Sequence, residues 1–189
     1  MKSALFVGRF QPFHNGHLSV VKNILKTNDR VIIVIGSAEK NFLPKNPLTA
    51  SERFQLIEAS LKEAKISPSK YVLIPIRDVN NYAVWVNHIN TYVPPYQSLY
   101  TGSEIVKACY HGKYFRKHES KNHALKIFDL DRKLDISATA VRSSIIKGTK
   151  EWEKLVPKAV VKLFKEWDIP HRIIMIKDTA DETRLNHSC

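Results

Sequence analysis

The feature that most constrains this chain is an apolar run that leads directly into a turn with two histidines. Residues 4–7 read Ala-Leu-Phe-Val, and residues 8–17 read Gly-Arg-Phe-Gln-Pro-Phe-His-Asn-Gly-His. This order predicts a buried strand, a tight turn and the start of a helix over 17–26. A helix start leaves backbone N–H groups free to meet an anion, and the helix dipole favours negative charge there. The segment therefore indicates a phosphate-binding site.

The side chains of this turn add donors to those of the backbone. Arg9 carries a guanidinium, and His14 and His17 are three residues apart, so both can face one phosphate at the helix opening. Two other interpretations stay open here. The histidines could be a metal pair, although no third ligand follows at zinc-like spacing, or they could have a purely structural role.

Strands and helices alternate along the chain, which predicts an α/β fold. The unbroken β-branched run at 31–35 is typical of a strand covered on both faces of a parallel sheet. Thr49 and Glu52 have the spacing of a capping box, which marks a helix start. Pro75 favours a position near a strand end or at the sheet edge. We therefore expect a single Rossmann-like parallel sheet with helices on both faces and a small helical C-terminal portion.

Composition narrows the class of protein. No apolar stretch of the 189 residues approaches the about 18–20 residues of a membrane span, and the N-terminal run is too short for a signal peptide. Cys109 and Cys189 are the only cysteines, which suits a reducing compartment. These features predict a cytoplasmic protein with no membrane partner.

The charge indicates polyanionic partners. Thirty Lys and Arg against 18 Asp and Glu give a net charge of +12. Part of this excess lies at 107–126, either as a solvated basic loop or as positive potential beside a triphosphate pocket. The part of this segment at 111–123 has no assigned role. Nucleic-acid binding has no supporting motif, so we do not expect it.

A second candidate phosphate site begins at Ser137. Ser137 is well placed as a helix N-cap, and Thr139 follows in the first turn. Arg142 comes three residues after Thr139, so it rises from the same helix end, and Gly148 is placed to terminate that helix. Two hydroxyls, free N–H groups and a guanidinium can hold a phosphate. The alternative is an ordinary capped helix with a surface arginine.

The two motifs together resemble those of the nucleotidylyltransferase superfamily. The resemblance rests on the segment 8–17 and on Ile-Ser-x-Thr-x-x-Arg at 136–142. The segments between and after them are similar to one branch, the archaeal-type nicotinamide mononucleotide (NMN) adenylyltransferases, notably at 36–38, 46–53, 84–86, 94–96 and 155–161. The resemblance implies a nucleotidylyltransferase domain at 1–168 and a C-terminal extension at 169–189, which we expect to be partly mobile.

The resemblance implies an activity, a cofactor and partners. NMN and ATP would give NAD and pyrophosphate by in-line attack on the α-phosphorus. Mg²⁺ would bridge phosphate oxygens of ATP, with no protein ligand assigned. The implied partners are the small molecules ATP and NMN and further copies of this chain, in a closed homo-oligomer that is expected to be a hexamer.

Alternatives to this activity stay open. Within the superfamily, the acceptor could be nicotinate mononucleotide, flavin mononucleotide, phosphopantetheine or glycerol phosphate. Outside it, the chain could be a tRNA-synthetase-like nucleotide domain, a nucleic-acid-binding module driven by charge, or an inactive regulatory homologue. A comparison of acceptors separates the first group, and salt-sensitive nucleic-acid binding would mark the charge-driven module.

The resemblance also assigns roles to residues. The implied catalytic residues are His14, His17 and Arg142. The implied contacts to ATP and its phosphates are Gly8, Arg9, Phe10, Lys45, Ser137 and Thr139. The implied contacts to NMN are Asn81, Tyr82 and Trp85.

Trp85 has an alternative role, and Lys45 and Tyr82 depart from the family pattern. Trp85 would pack against the cationic nicotinamide ring, although it could instead be a core aromatic. Lys45 stands where relatives usually carry an arginine, so the bidentate fork is lost. Tyr82 stands where an asparagine is expected for recognition of the carboxamide, and Asn80 and Asn81 directly precede it.

Overall fold

A computed structural model describes residues 1–111, 125–129 and 136–186. The strands in these ranges are β1 (Ser3–Gly8), β2 (Arg30–Ile35), β3 (Tyr71–Pro75), β4 (Ser98–Thr101) and β5 (Lys126–Asp129). The helices are α1 (Asn15–Ile24), α2 (Ala50–Glu63), α3 (Tyr82–Tyr92), α4 (Glu104–Tyr110), α5 (Ala138–Ile146), α6 (Trp152–Leu155), α7 (Lys158–Glu166) and α8 (Ile169–Asn186). The predicted alternation is confirmed. Most of the basic segment lies outside the described residues, so both interpretations of it stay predictions.

The described strands form one parallel sheet in the order β3-β2-β1-β4-β5. The chain runs from β1 outward to β2 and β3 on one side, and then to β4 and β5 on the other. The strand order therefore reverses between β1 and β4, and open α/β sheets bind ligands beside the carboxyl ends of strands at such a point. The turn with the two histidines follows β1 directly. The predicted Rossmann-like parallel sheet is confirmed.

Burial explains the unbroken apolar runs. Residues of the central strands that point to opposite sides, such as Leu5 and Phe6 or Ile32 and Ile33, are at most 2% exposed. Both faces of these strands are therefore covered, which removes the alternation of apolar and polar residues. β3 lies at the edge of the sheet and ends at Pro75, as its proline predicted.

The ends of two helices follow from single residues. The Thr49 hydroxyl accepts a hydrogen bond from the Glu52 N–H at 3.2 Å, and the Glu52 carboxylate accepts one from the Thr49 N–H at 2.8 Å. This confirms the capping box at the start of α2. Gly148 follows α5 with a φ of +70°, a left-handed conformation that favours glycine and confirms the predicted helix end.

The chain divides into two compact units. The first holds the sheet and consists of Met1–Gly8, Val20–Glu39 and the described part of 67–132. The second consists of Arg9–Ser19, Lys40–Ile66 and the described part of 133–189. Each unit has an apolar core of its own, one around Leu5, Ile32 and Leu99 and the other around Leu56, Val141 and Phe164. The domain division at residue 168 stays a prediction.

Residues 169–186 form α8, which packs into the core of the second unit. Ile169 and Ile173 are 0% and 4% exposed in that core. The run at 172–176 is thus part of a helix. Among the described helices, none combines the length and the hydropathy that crossing a membrane requires.

Candidate active site

The turn after β1 is built around a buried phenylalanine in an unusual backbone conformation. Phe10 has a φ of +51°, although it is not glycine, and its side chain is only 2% exposed. Its ring lies 5.9 Å from the ring of Phe13 and 4.8 Å from the ring of His17, between centroids. The burial of this ring stabilises a backbone conformation that is costly by itself.

Two polar side chains hold the turn from within the second unit. The Gln11 amide donates to the Leu48 carbonyl at 2.9 Å and accepts from the Leu48 N–H at 2.9 Å. Arg53 is fully buried and donates from Nη1 to the Arg9 carbonyl at 3.0 Å. Sequence reasoning gave neither Gln11 nor Arg53 a role. The available signal was their position inside the segments at 8–17 and 46–53, which carry the family resemblance.

The two histidines form a reciprocal pair at the start of α1. His14 immediately precedes the first helical residue, and its carbonyl accepts from the Leu18 N–H at 3.1 Å. Its ring Nδ1 accepts from the His17 N–H at 3.3 Å, and the ring Nδ1 of His17 accepts from the His14 N–H at 3.3 Å. The rings stack with their centroids 3.6 Å apart. The helix therefore begins at Asn15, earlier than predicted, because His14 caps it.

These contacts determine the protonation of both rings. Burial lowers the pKa of His14 to about 4. Burial, and then the neighbouring His14, lowers the pKa of His17 well below its usual value. Both imidazoles are therefore neutral at pH 7. Since each Nδ1 accepts a backbone hydrogen bond, the ring proton lies on Nε2, and each ring offers an N–H donor there.

Gly16 leaves the space that the histidine pair needs. A Cβ at this position would lie 3.0 Å from Cε1 and 3.0 Å from Nδ1 of His14. The same Cβ would lie 3.7 Å from the Ile136 carbonyl oxygen. The glycine of His-x-Gly-His is thus required by the close approach of the His14 ring.

Arg142 connects the two sequence motifs. Its Nη1 donates to the Gln11 carbonyl at 2.7 Å, and its Nη2 donates to the Thr139 hydroxyl at 3.4 Å. The Ser137 hydroxyl accepts from the Ala140 N–H at 3.1 Å, which confirms Ser137 as the N-cap of α5. The start of α5 and the histidine turn therefore meet in the second unit, although 131 positions separate Gln11 from Arg142.

Two positively charged side chains of the second unit, Arg9 and Arg142, lie near each other at the histidine turn. Burial, and then the nearby charge of Arg9, lowers the pKa of Arg142. The exposed guanidinium of Arg9 makes no hydrogen bond or ion pair within residues 1–111, 125–129 and 136–186. Two neighbouring guanidinium groups and two neutral N–H donors suit an anion with several oxygens, such as a phosphate chain.

The other predicted site residues take no part in the contacts described above. Lys45 is an exposed residue of the second unit, in the turn that Leu43 and Asn46 close. Gly8 ends β1, and its carbonyl accepts from the Gly36 N–H at 2.9 Å. Asn81 and Tyr82 belong to the first unit, where the Asn81 amide oxygen caps α3 by accepting from the Ala83 N–H at 2.9 Å.

Trp85 is a residue of α3 in the first unit. It is half-buried against the core of that unit, and the Tyr110 ring stands almost perpendicular to it, at 84° and 6.2 Å between centroids. The Tyr110 hydroxyl lies 2.9 Å from the Tyr96 hydroxyl, which donates to the Asn90 amide oxygen at 2.7 Å. The indole of Trp85 is thus held by packing against Tyr110 and the core, and part of it is exposed to solvent.

Comparison with known proteins places the chain in a family. The model of the cytidylyltransferase-like family matches residues 5–144, which is most of the chain. The chain belongs to the cytidylyltransferase-like family. The match includes both the histidine turn and the start of α5, so the two segments brought together by Arg142 lie inside the family region.

Relatives within the cytidylyltransferase-like family match nearly the whole chain. It is 40% identical to a nicotinamide-nucleotide adenylyltransferase of Picrophilus torridus, over 90% of this chain and 94% of that protein. It is 36% identical to a nicotinamide-nucleotide adenylyltransferase of Thermococcus kodakarensis, over 97% of this chain and 93% of that protein. The predicted resemblance to this branch is confirmed.

Solved structures of more distant proteins share the fold. A bifunctional NMN adenylyltransferase/ADP-ribose pyrophosphatase of Francisella tularensis has a TM-score of 0.71 at 21% identity, and this chain spans 57% of it. A putative nicotinate-nucleotide adenylyltransferase of Vibrio parahaemolyticus has a TM-score of 0.61 at 22% identity, with 87% of this chain and 99% of that chain covered. At these identities the likeness shows the fold alone.

Proposed function

We propose that this protein transfers the adenylyl group of ATP to NMN, which gives NAD and pyrophosphate. The relatives named above support this reaction because they match 90% and 97% of the chain at 40% and 36% identity. The observation that carries the proposal is the 2.7 Å hydrogen bond from Arg142 to the Gln11 carbonyl. It brings the guanidinium of the second motif to the turn that holds both histidines.

The reaction needs positioning and charge stabilisation rather than a covalent intermediate. An oxygen of the NMN phosphate attacks the α-phosphorus of ATP in line. The bond from that phosphorus to the oxygen shared with the β-phosphorus breaks, and pyrophosphate leaves with the electron pair. Groups fixed in place before the reaction stabilise the charge that develops on the phosphate oxygens.

The residues of the histidine turn, the loop at 42–46 and the start of α5 have separate parts in this scheme. His17 and His14 donate from Nε2 to phosphate oxygens, with His17 nearest the α-phosphate. Arg142, Ser137 and Thr139 hold the departing β- and γ-phosphates. The implied remaining contacts to ATP are Lys45, Arg9 and the backbone at Gly8 and Phe10.

Mg²⁺ enters this scheme as part of the ATP complex. The residues fit that role, because the side chains around the histidine turn are N–H donors and cations, which suit phosphate oxygens rather than a resident metal. Within the described part of the chain, no group of three or more His, Cys, Asp or Glu could hold a metal ion. When bound to ATP, Mg²⁺ neutralises charge on the phosphate oxygens. A Francisella tularensis relative was solved with AMP and a manganese ion.

The acceptor site is proposed at Trp85, whose indole packs against the nicotinamide ring, with Asn81 and Tyr82 beside it. Aromatic faces attract cations, and the nicotinamide of NMN is a cationic ring. Location in the cytoplasm and assembly into a closed homo-oligomer, expected as a hexamer, stay predictions from the resemblance.

The function is tested by pyrophosphate release from ATP and Mg²⁺ with a panel of acceptors. NMN should give NAD, whereas flavin mononucleotide, phosphopantetheine and glycerol phosphate should give no turnover. Nicotinate mononucleotide, assayed beside NMN, measures the preference between the two pyridine nucleotides. Turnover with one of the other acceptors and none with NMN would replace the proposed reaction.

His17→Ala tests the mechanism. We expect kcat to fall by about a hundredfold or more while the Kd for ATP changes little, since His17 acts mainly on the transition state. His171→Ala is the matched control, because its side chain is exposed and pairs with Asp168 at 3.3 Å. Unchanged turnover in His17→Ala would remove His17 from the mechanism.

A further inference from the structure

Arg172 on α8 contacts two separate parts of the second unit. Its Nη1 donates to the two carboxylate oxygens of Glu52 at 2.7 and 2.9 Å. Its Cζ lies 4.9 Å from the centre of the Phe42 ring. The side chains of Arg172 and Glu52 are only 20% and 17% exposed, so this ion pair is more shielded from water than an ordinary surface pair. One guanidinium thus joins α8 to α2 and to the loop before α2.

The position of the Phe42 ring depends on the contact with Arg172 more than the position of a core side chain would. Its side chain is 53% exposed, so burial alone does not hold it. Its φ is +51°, a left-handed conformation that non-glycine residues rarely adopt. A cation over the ring face is an attractive interaction that can hold an exposed aromatic in place. The contact with Arg172 therefore helps to set the backbone at residue 42.

The backbone at residue 42 is closely coupled to Lys45. The Asn46 N–H donates to the Leu43 carbonyl at 2.8 Å, and the Leu43 N–H donates to the Asn46 carbonyl at 3.2 Å. These two bonds close a tight turn with Pro44 and Lys45 at its tip. Phe42 directly precedes this turn, so the position of its ring limits where the tip can lie.

The other end of the same segment is held by the histidine turn. Leu48 is bonded through both backbone groups to the Gln11 amide, at 2.9 Å each. Glu52 completes the α2 capping box and also receives Arg172. Lys45 lies between Phe42, which Arg172 contacts, and Leu48, which Gln11 holds. The Lys45 ammonium makes no hydrogen bond or ion pair with the described residues.

We propose that Arg172 is a positioning residue for the loop at 42–46, and that α8 thereby contributes to the binding of ATP. The inference rests on the proposed function, in which Lys45 contacts the phosphates of ATP. A lysine binds phosphate as a point charge on a flexible stem, so its contribution depends on where its backbone is held. Without the contact of Arg172, the loop must be ordered when ATP binds, and affinity is lost.

The test compares Arg172→Gln, Phe42→Leu, Lys45→Ala and the double variant Lys45→Ala/Arg172→Gln. We expect Arg172→Gln and Phe42→Leu each to raise the KM for ATP about 3- to 10-fold, and no more than Lys45→Ala does. The KM for NMN should stay unchanged and kcat should stay within about twofold. In the Lys45→Ala background, Arg172→Gln should have no further effect on the KM for ATP, because the two residues act through one contact.

Two controls separate positioning from stability. Lys177→Gln removes another cation of α8, whose partner is Asp181 at 2.9 Å, and should leave both KM values unchanged. Arg172→Lys keeps a charge for Glu52 but loses the guanidinium that lies over the Phe42 ring, so it should rescue the Tm more than the KM for ATP. The Tm of every variant is measured beside its kinetics.

Several results would overturn the inference. One is a lowered Tm with an unchanged KM for ATP in Arg172→Gln, since Arg172 would then only stabilise the fold. Another is an undiminished effect of Arg172→Gln in the Lys45→Ala background. A third is an unchanged KM for ATP in Lys45→Ala, which would leave the proposed function standing if NAD is still formed. A wild-type protein that binds ATP but forms no NAD contradicts the proposed function instead.

Discussion

At the scale of single residues, Gly16 connects a sequence motif to a geometric requirement. The His14 ring packs so close to this position that an added Cβ would lie 3.0 Å from two of its atoms. The His14 ring has little freedom to move away, because it stacks on His17 at 3.6 Å. The glycine is therefore needed for the placement of His14.

We predict that Gly16→Ala lowers kcat by about tenfold or more with a small change in stability, because it displaces the His14 ring. Gly148→Ala is the opposite control: its φ is +70° and nothing lies within 4 Å of the added Cβ. This control should cost about 1 kcal/mol of unfolding free energy and leave kcat unchanged. Steady-state kinetics and urea unfolding measure both. An unchanged kcat in Gly16→Ala would mean that the His14 ring can move away from the added Cβ without loss of activity.

At the scale of secondary structure, α1 begins with a capping box made of two histidines. In the usual form, a hydroxyl accepts from the N–H of the third helical residue and a carboxylate accepts from the N–H of the cap. Here the Nδ1 atoms of His14 and His17 accept these two bonds. The same atoms must stay unprotonated, so the helix start and the neutral state of both rings depend on each other.

This arrangement predicts a loss of stability in acid. The pKa of His14 is about 4 in the folded protein against about 6.5 when unfolded, so the unfolded state binds more protons between these values. The unfolding free energy should therefore fall as the pH falls from 7 to 5, by on the order of 2 kcal/mol from His14. The lowered pKa of His17 acts in the same direction.

The matched control is His14→Ser/His17→Gln. It keeps a capping box in the Ser-x-x-Gln form and removes both titrating rings. Urea unfolding at pH 7 and pH 5 should show a smaller acid loss in this double variant than in the wild type. Equal losses in the two proteins would mean that the histidine pair does not couple to folding.

At the scale of the whole molecule, the candidate residues divide between the two compact units. His14, His17, Lys45 and Arg142 belong to the second unit, whereas Trp85 belongs to the first. In the proposed function the second unit supplies the side chains that contact phosphate, and α3 supplies the aromatic face for the acceptor. Variants at Lys45 in the second unit should therefore change the KM for ATP, and variants at Trp85 should change the KM for NMN.

We predict that Trp85→Ala raises the KM for NMN more than the KM for ATP, because it removes the ring that packs on nicotinamide. Trp85→Phe should retain part of the affinity for NMN, since an aromatic face remains beside Tyr110. Initial rates with each substrate varied in turn measure both values. A larger rise in the KM for ATP would move Trp85 out of the acceptor site.

The sequence by itself determined the elements whose signals are local. The run at 31–35 predicted β2, the capping box predicted the start of α2, and Ser137 and Gly148 predicted the two ends of α5. Such signals come from burial or from hydrogen bonds between residues a few positions apart, so a linear pattern contains them. The motifs at 8–17 and 136–142 likewise indicated where phosphate chemistry lies.

Only the tertiary structure decided how these segments are joined. The bonds of Arg142 to Gln11, of Gln11 to Leu48 and of Arg172 to Glu52 connect residues 131, 37 and 120 positions apart. A contact over such a separation leaves no periodic trace in a single sequence. The same holds for α8: its sequence gave no sign that Arg172 reaches the loop of Lys45, because that contact exists only after the chain has folded.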